Sequence, residues 1–594
     1  MKRNRHVRLD DVVQQIEWHK GDVPVWGALF VIGLCAATAF LVNAAVSPKT
    51  ANPLLVVLCS IYASLGAVTA IREVRSFRRQ ARMLAGLPGP QTRHVLGFTD
   101  ILTSKEPHRL LLDMAERYGP IFSFRVIHLH LVCITDPAVA MDMLKSPYVD
   151  KVRFLYSFLD PFLMGTNMLT GHTDKHWKAV RKGVAPAFSA QHMRSALHSV
   201  VECCGALARY MEVQGPRKAM DVDELLLRES MDVIGRFGFQ KDMGAIASLW
   251  RPESEANHNV RALLESTEEV VARTKTFMRW WQLWRPDVVA GWVTLGRFKN
   301  IIRDLLEHMK STKLEPGTFA DLLMKTKDPR TKQLLSDKQL LPEIAALFFA
   351  GIDTTGHTGS FCLFLLSQHP EVEAKVVQEL QRLGLCASVQ RPEPRQLAYA
   401  DLAELAYLQA VVKETLRMFP PVAIGQARLV SADLKLAGGF CLPAGAAALV
   451  PHHAMHSTSF NWDKPNEFLP ERWLVPGAEY AVSKKQQMAN GDISADDAHA
   501  SSAALLEDTE GDNRQPKRYI PFAEGPRNCV GQSLAKVSLV ATLAVLLSQF
   551  SFKLADDMGG AEGVRRAERY ALVNGIAGGL RMHAIPRLAQ QKEE

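Results

Sequence analysis

Phe522-Ala523-Glu524-Gly525-Pro526-Arg527-Asn528-Cys529-Val530-Gly531 sets a single cysteine in a loop of glycines and a proline. Apolar residues then recur at Leu534, Val537, Leu539, Val540, Leu543, Leu546 and Leu547, which is helical spacing. Cys529 therefore sits at or just before a helix N-terminus, where free amides and the positive dipole end favour a thiolate over a thiol. Gly525 and Gly531 let the backbone approach something flat and close. Alone, a cysteine near a turn is more often a small buried hydrophobe than a ligand. Its neighbours have to decide.

Those neighbours resemble, position for position, the cysteine-ligand loop of the cytochrome P-450 family, the heme-thiolate monooxygenases. The family pattern Phe-x-x-Gly-x-Arg-x-Cys-x-Gly is met by Phe522, Gly525, Arg527, Cys529 and Gly531 without departure. The resemblance runs from about Leu87 to the C-terminus. It implies a mainly α fold with a small β-sheet region and heme b as cofactor. Cys529 is then the axial ligand of the heme iron, with Phe522, Gly525, Arg527 and Gly531 among the cofactor-binding residues.

Five segments far from the loop carry further parts of the pattern. Trp177 and Arg181 are spaced i, i+4 and share one helix face. Read alone they are a core tryptophan beside an exposed arginine. The family resemblance makes them holders of a heme propionate, for which the planar guanidinium fork is suited. Arg428, on a predicted strand, matches the second propionate arginine and Arg527 the third.

Ser336 and Gln339 resemble a capping box, and Pro342 suggests a helix restart a few residues later. The long apolar helix that follows contains Ala350-Gly351-Ile352-Asp353-Thr354-Thr355. A charge in such a helix is costly unless paired or used. In isolation the segment reads as a kink with self-satisfied hydroxyls. By resemblance it is the family's oxygen-binding groove: Thr354 hydrogen-bonds dioxygen, Asp353 feeds protons towards it, and Ala350 and Gly351 leave it room. His357 reads as a packed helix residue. Glu414 and Arg417, i, i+3 on one face, are an ordinary surface pair taken alone. The resemblance turns them into a buried ionic triad with Arg472 of Pro470-Glu471-Arg472-Trp473. Regions that line the family's substrate pocket correspond to Phe348, Phe349, Val422, Ala423, Ile424 and Ile576, an apolar wall.

The chain has 594 residues, 47% of them hydrophobic and 22% charged, enough for one large core plus appendages. A net charge of +8 is modest at this size, and no zinc-finger spacing or comparable motif accompanies it, which suggests local basic faces rather than a nucleic-acid binder. Nine scattered cysteines with no Cys-x-x-Cys pair point to a reducing compartment. Residues 24–46 and 53–71 are uncharged and largely apolar, and a helix of 19 residues spans about 28 Å, close to a bilayer core. Arginines and lysines flank both ends of this pair: Lys2, Arg3, Arg5, Arg8 and Lys20 before, Arg72, Arg75, Arg78, Arg79 and Arg82 after. The positive-inside rule then places both ends in the cytosol.

The expected organisation is a basic segment at 1–23, a two-helix membrane anchor at 24–71, a basic, proline-rich hinge at 72–90, and a catalytic domain at 91–594. One span plus an interfacial second segment is the competing reading of the anchor. A cleaved signal peptide is opposed by the length of the first apolar run, and a transit peptide by Asp10, Asp11, Glu17 and Asp22. Residues 475–516 depart from the family, being rich in Ala, Ser, Asp and Glu, and read as a disordered acidic surface insertion.

The implied function is insertion of one atom of dioxygen into a hydrophobic small molecule of the fatty acid, sterol or terpenoid class. No Gly-rich flavin or nicotinamide fingerprint is fused to the chain, so electrons come from a separate NADPH-dependent reductase, membrane-bound like the chain itself. The expected location is the endoplasmic reticulum membrane, with the catalytic domain cytosolic. Two rivals are a heme-thiolate isomerase or dehydratase, which needs neither oxygen nor reductase, and a non-enzymatic heme-binding regulator. The Asp353-Thr354 pair speaks against the first, and the full set of motifs against the second.

Overall fold

The computed structural model describes residues 53–91, 97–126, 129–251, 259–275, 282, 284–386, 394–474 and 517–587. The first apolar run at 24–46, the basic segment 1–23 and the acidic insertion 475–516 lie outside the described residues. Helix α1, Pro53–Leu84, is continuous, so the basic stretch from Arg72 is helical and the chain turns only at Gly86–Pro90. Val57, Ile61, Val68, Ile71 and Val74 stand exposed along α1.

A mixed sheet follows. After α2 (Pro107–Tyr118) come β1 (Ile121–Val126) and β2 (Leu129–Ile134), an antiparallel hairpin, then α3 (Pro137–Lys145) and β3 (Val149–Lys151). Asp136 caps α3 by accepting the Val139 N–H at 2.9 Å, and Pro137 occupies the first turn, where no N–H is needed. The helical body comprises α4 (Lys175–Val184), α5 (Ala190–Gln214), the two-residue β4 (Met220–Asp221), α6 (Val222–Phe239), α7 (Asn259–Lys275), α8 (Pro286–Ser311), α9 (Asp337–Gln368), α10 (Pro370–Arg382) and α11 (Ala406–Met418). Then β5 (Gln426–Val430), β6 (Leu434–Lys435), β7 (Cys441–Leu442) and β8 (Ala447–Val450) lead to α12 (His452–Ser457). Strand order in the five-stranded sheet is β1-β2-β8-β5-β3, with β2 and β8 parallel. Beyond the cysteine loop lie α13 (Gln532–Gln549), β9 (Phe550–Leu554), β10 (Glu568–Ala571), β11 (Val573–Ile576) and β12 (Arg581–Pro586). No sequence signal marks the last four strands. They are short and pair only with each other and β4, so no long alternating run announces them.

The central helix α9 begins at the capping box, where Ser336 and Gln339 bond reciprocally. It starts at Asp337 and runs through Pro342 without a restart. Pro342 falls in the second turn, so only the early bond to Lys338 is lost. Helix α13 has the length and composition to cross a membrane, but it is a core helix with most of its residues buried. Its all-round apolar surface is what a helix wrapped by α5, α9 and α11 requires.

The β10–β11 hairpin is tied to α2 by a buried acid. Glu568 lies 3.2 Å from His108 Nε2, pairs with Arg109, and accepts from Asn574 Nδ2 at 2.7 Å. Burial opposes its charge, but His108 and Arg109 outweigh that and hold the carboxyl at about 2. Its folded value lies below the ordinary one, so its stabilisation is present above about pH 4.3 and lost as pH falls through about 2. Glu568→Gln is expected to lose on the order of 3 kcal/mol of stability at pH 7. Urea unfolding at several pH values should show that deficit shrinking steadily below pH ~4.

Candidate functional site

The Cys529 N–H donates to Phe522 O at 2.9 Å and closes the loop around a single helical turn, Gly525–Arg527. Gly525 has φ +76°, and a Cβ there would fall 2.3 Å from Leu144 O of α3. Close backbone approach therefore demands this glycine. At Gly531, which precedes α13, a Cβ would meet Phe188 at 3.8 Å and the Cys529 sulfur at 4.0 Å. Phe522 lies under Lys536, 5.5 Å from its ammonium.

Cys529 is accessible, yet protein surrounds it. Burial pushes its thiol up, and the Gly531 N–H and the Arg181 guanidinium only partly offset this. The Gly531 N–H and the Arg181 guanidinium favour the thiolate, as a helix terminus does, and the protein packed around the loop opposes it. A thiolate on Cys529 calls for a positive centre against the sulfur.

Cations gather around Arg527, two residues before Cys529. Strand β3 pairs with β5 so that Lys151 stands directly opposite Arg428. Both are buried, at 5% and 1% exposure. Like charges directly opposed across strands repel. Burial and then Arg428 hold the Lys151 ammonium well below its ordinary value, and Lys151 also sits 4.0 Å over the Tyr156 ring. Arg527 donates to Gly171 O at 2.6 Å and Thr173 Oγ1 at 3.2 Å and lies 4.4 Å over the Trp177 ring. Burial, opposed by Asp150 and reinforced by Arg428 and Arg181, brings it down to about 10. Arg181 donates to Asn528 Oδ1 at 2.6 Å.

The Trp177 indole N–H is already used, donating to Met168 O at 2.9 Å. His452 is buried with neither ring nitrogen hydrogen-bonded, and burial with Arg428 and Lys151 pushes it to about 3. Asp150 is a carboxylate that acts on all three of Arg428, Arg527 and Lys151. Arg181, Arg428 and Arg527, with Lys151 beside Arg428 and Asp150 in partial opposition, form a site suited to carboxylates such as those of a dianion.

Across α9, Thr354 Oγ1 donates to Ala350 O at 2.7 Å. Asp353, 2% exposed, faces His357, whose Nε2 is 3.5 Å from Asp353 Oδ1. Gly351 does not open a space for a small molecule, as its sequence suggested. A Cβ there would fall 2.4 Å from Ile234 Cδ1, so its missing side chain is filled by α6. Gly356 and Gly359 meet Leu227 and Leu226 in the same way, which is how α6 and α9 approach closely. Ala350 remains half-buried beside Thr354.

A family model described as Cytochrome P450 matches residues 87–561. The chain belongs to the cytochrome P450 family. Cytochrome P450 3A7 of Homo sapiens is 27% identical over 485 residues, covering 79% of this chain and 86% of the relative. Cytochrome P450 4V2 of Homo sapiens is 26% identical over 509 residues, covering 81% and 87%. Cytochrome P450 3A6 of Oryctolagus cuniculus is 26% identical over 487 residues, covering 79% and 86%. This P450 is accordingly an oxidoreductase of the monooxygenase kind, and the family implies heme, dioxygen, a small-molecule substrate and a redox partner. The cation cluster fits heme's two carboxylates, and the Cys529 thiol fits its iron.

In this P450 Glu414 and Arg417 are 0% exposed. Arg417 meets Glu414 through two bonds of 3.0 and 2.9 Å, and Arg472 Nε meets it at 3.0 Å. Trp473 Nε1 and the Leu469 N–H donate to the same carboxylate at 3.0 and 3.1 Å. Arg417 also donates to the carbonyls of His456, Pro465 and Glu467. Of the expected pocket wall, Phe348 is fully buried among Phe239 and Phe298, and Phe349 packs edge-on to Phe162 at 5.1 Å. Phe348 is a core residue here, because α6 and α8 enclose it. Ala423 and Ile576 are buried, while Val422 and Ile424 are half-buried.

Sequence reasoning missed Lys151, His452 and Asp223. A buried lysine on a three-residue strand carries no motif, and only its register with Arg428 marks it. A broad groove of about 540 Å³ lined by Glu265, Glu268, Glu269 and Arg569 shares no residue with this site.

Proposed function

We propose that this P450 inserts one atom of dioxygen into a hydrophobic small molecule of the fatty acid, sterol or terpenoid class. Its electrons come from a separate, membrane-bound NADPH-dependent reductase. The observation that carries this reading is the linked set Arg181, Arg527, Arg428 and Lys151, buried or half-buried, of which Arg181 acts directly on Cys529. Cys529 would ligate the iron of heme b. Arg181, Arg428 and Arg527, joined by Lys151, would hold its propionates, and Trp177 would back Arg527. Heme, when bound, supplies the chemistry that activates dioxygen, pushed by its thiolate ligand.

The chain's own residues supply position and protons. Thr354 holds a donor proton on Oγ1, parked on Ala350 O in this conformation. Asp353, one residue earlier, would resupply that proton. Ala350 would line the space beside Thr354. Val422, Ala423, Ile424 and Ile576, with Phe349, would offer substrate an apolar surface. Glu414, Arg417 and Arg472 lock the heme-side core. The exposed apolar stripe Val57, Ile61, Val68, Ile71 and Val74 on α1 suits a bilayer, and the arginines from Arg72 onward suit its cytosolic side. We therefore place the chain in the endoplasmic reticulum membrane.

Purified full-length chain with a microsomal NADPH-dependent reductase, presented with a panel of fatty acids, sterols and terpenoids, is expected to yield a hydroxylated product. Formation should require both NADPH and oxygen. Product that forms equally well without either would establish the isomerase or dehydratase reading instead.

A further inference from the structure

His357 is not simply packed against its helix. Its Nδ1 lies 2.9 Å from Asp223 Oδ1, on the first turn of α6, and its Nε2 lies 3.5 Å from Asp353 Oδ1, one turn back on α9. All three side chains are nearly enclosed, at 12%, 7% and 3% exposure for His357, Asp223 and Asp353. The third wall is β11. A Cβ at Gly575 would fall 2.9 to 3.1 Å from three atoms of the imidazole ring, so only glycine leaves the ring its place. Gly575 is itself fixed, because the neighbouring Asn574 N–H donates to Pro421 O at 2.8 Å. Asp223 is fixed too: the Asp221 carboxylate at the α6 N-cap accepts its N–H at 3.1 Å and that of Glu224 at 3.3 Å.

We propose that His357, anchored by Asp223 and seated under Gly575, is a positioning residue that holds the Asp353 carboxyl where it can serve Thr354. This rests on the proposed role of Asp353. An aspartate alone on an apolar helix could swing among rotamers, but one facing a clamped imidazole has a single favoured direction. Burial alone would lower the imidazole's affinity for a proton. Asp223 on α6 and Asp353 on α9 more than reverse this and raise it well above the ordinary value, while β11 meets the ring at Gly575, which has no side chain. Both carboxylates therefore favour the charged ring. Its stabilisation is complete below about pH 6.5 and is lost only as pH rises through the raised value.

The test uses substrate-free holoenzyme with a microsomal reductase and NADPH, comparing wild type, His357→Gln, Asp223→Asn, Gly575→Ala and Asp353→Asn. Oxygen can leave as hydrogen peroxide, using one NADPH and one proton per dioxygen, or as two waters, using two NADPH and two protons. Poor proton supply shifts the balance to peroxide. The first three variants are expected to raise the peroxide fraction several-fold, as Asp353→Asn does, with the ferrous carbon-monoxide band unchanged. A wild-type peroxide fraction in His357→Gln and Asp223→Asn, with Asp353→Asn raised, would overturn the positioning role alone. A wild-type fraction in Asp353→Asn as well would also remove the role of Asp353.

A readout independent of turnover is the ¹³Cε1 resonance of labelled histidine in the ferrous carbon-monoxide form. The His357 signal should stay at its imidazolium position to well above pH 7 and titrate lower in Asp223→Asn. Titration near the ordinary imidazole value in wild type would overturn the proposal.

Discussion

Cys529→Ala is expected to abolish oxygen-dependent turnover and the far-red-shifted Soret band of the reduced, carbon-monoxide-treated protein. Losing the partner of a metal ligand typically costs ~10–100-fold in affinity or activity, and losing the ligand itself should exceed that. The fold should survive, because the Cys529 side chain is accessible and contributes little to the core. Its N–H bond to Phe522 O is made by backbone and remains available to alanine. Circular dichroism and a thermal melt close to wild type, together with loss of the band, would therefore isolate the ligand role. An unchanged band in the variant would falsify the assignment of Cys529. The cation cluster supplies a second check, since an Arg428→Leu variant should retain the thiolate band once loaded but bind heme more weakly. Arg428 is expected to meet carboxylate, not iron.

Glu414→Ala is expected to destabilise the protein by about 3–5 kcal/mol, the usual cost of stranding one member of a buried ion pair. The variant would leave Arg417, 0% exposed, without its carboxylate. It would also remove the acceptor of Arg472 Nε, Trp473 Nε1 and the Leu469 N–H. Urea unfolding followed by tryptophan fluorescence reads the change directly, because Trp473 bonds the carboxylate and Trp462 lies 5.5 Å from the Arg417 guanidinium. The double variant Glu414→Leu/Arg417→Leu should lose less than Glu414→Ala, since no charge is then buried alone. A loss below about 1 kcal/mol in Glu414→Ala would reduce the triad to the surface pair its spacing alone suggests.

Much of this P450 was legible before any coordinates. The capping box at Ser336 and Gln339 opens the longest catalytic helix, and the apolar spacing after Gly531 is the helix Gln532–Gln549. These features depend on residues within one or two turns of each other, so local spacing carries them. The mainly helical class was expected through the resemblance. The approach of Glu414, Arg417 and Arg472 was also foreseen, although only through resemblance. Nothing local says that Arg472, 58 positions after Glu414, returns to its carboxylate.

The loop Phe522–Gly531 by itself determined the family and the cysteine to watch, because backbone-limited positions such as Gly525 leave little freedom in type or spacing. Only the tertiary structure decided what surrounds it. Strand pairing brought Lys151 opposite Arg428, helix packing filled the gap beside Gly351 with Ile234, and Asp223, 134 residues before His357, came to hold its ring. The physical reason is the same in each case. Desolvation and the repulsion or attraction of buried charges depend on distances in space, and those distances are set by register and packing between segments remote in the chain.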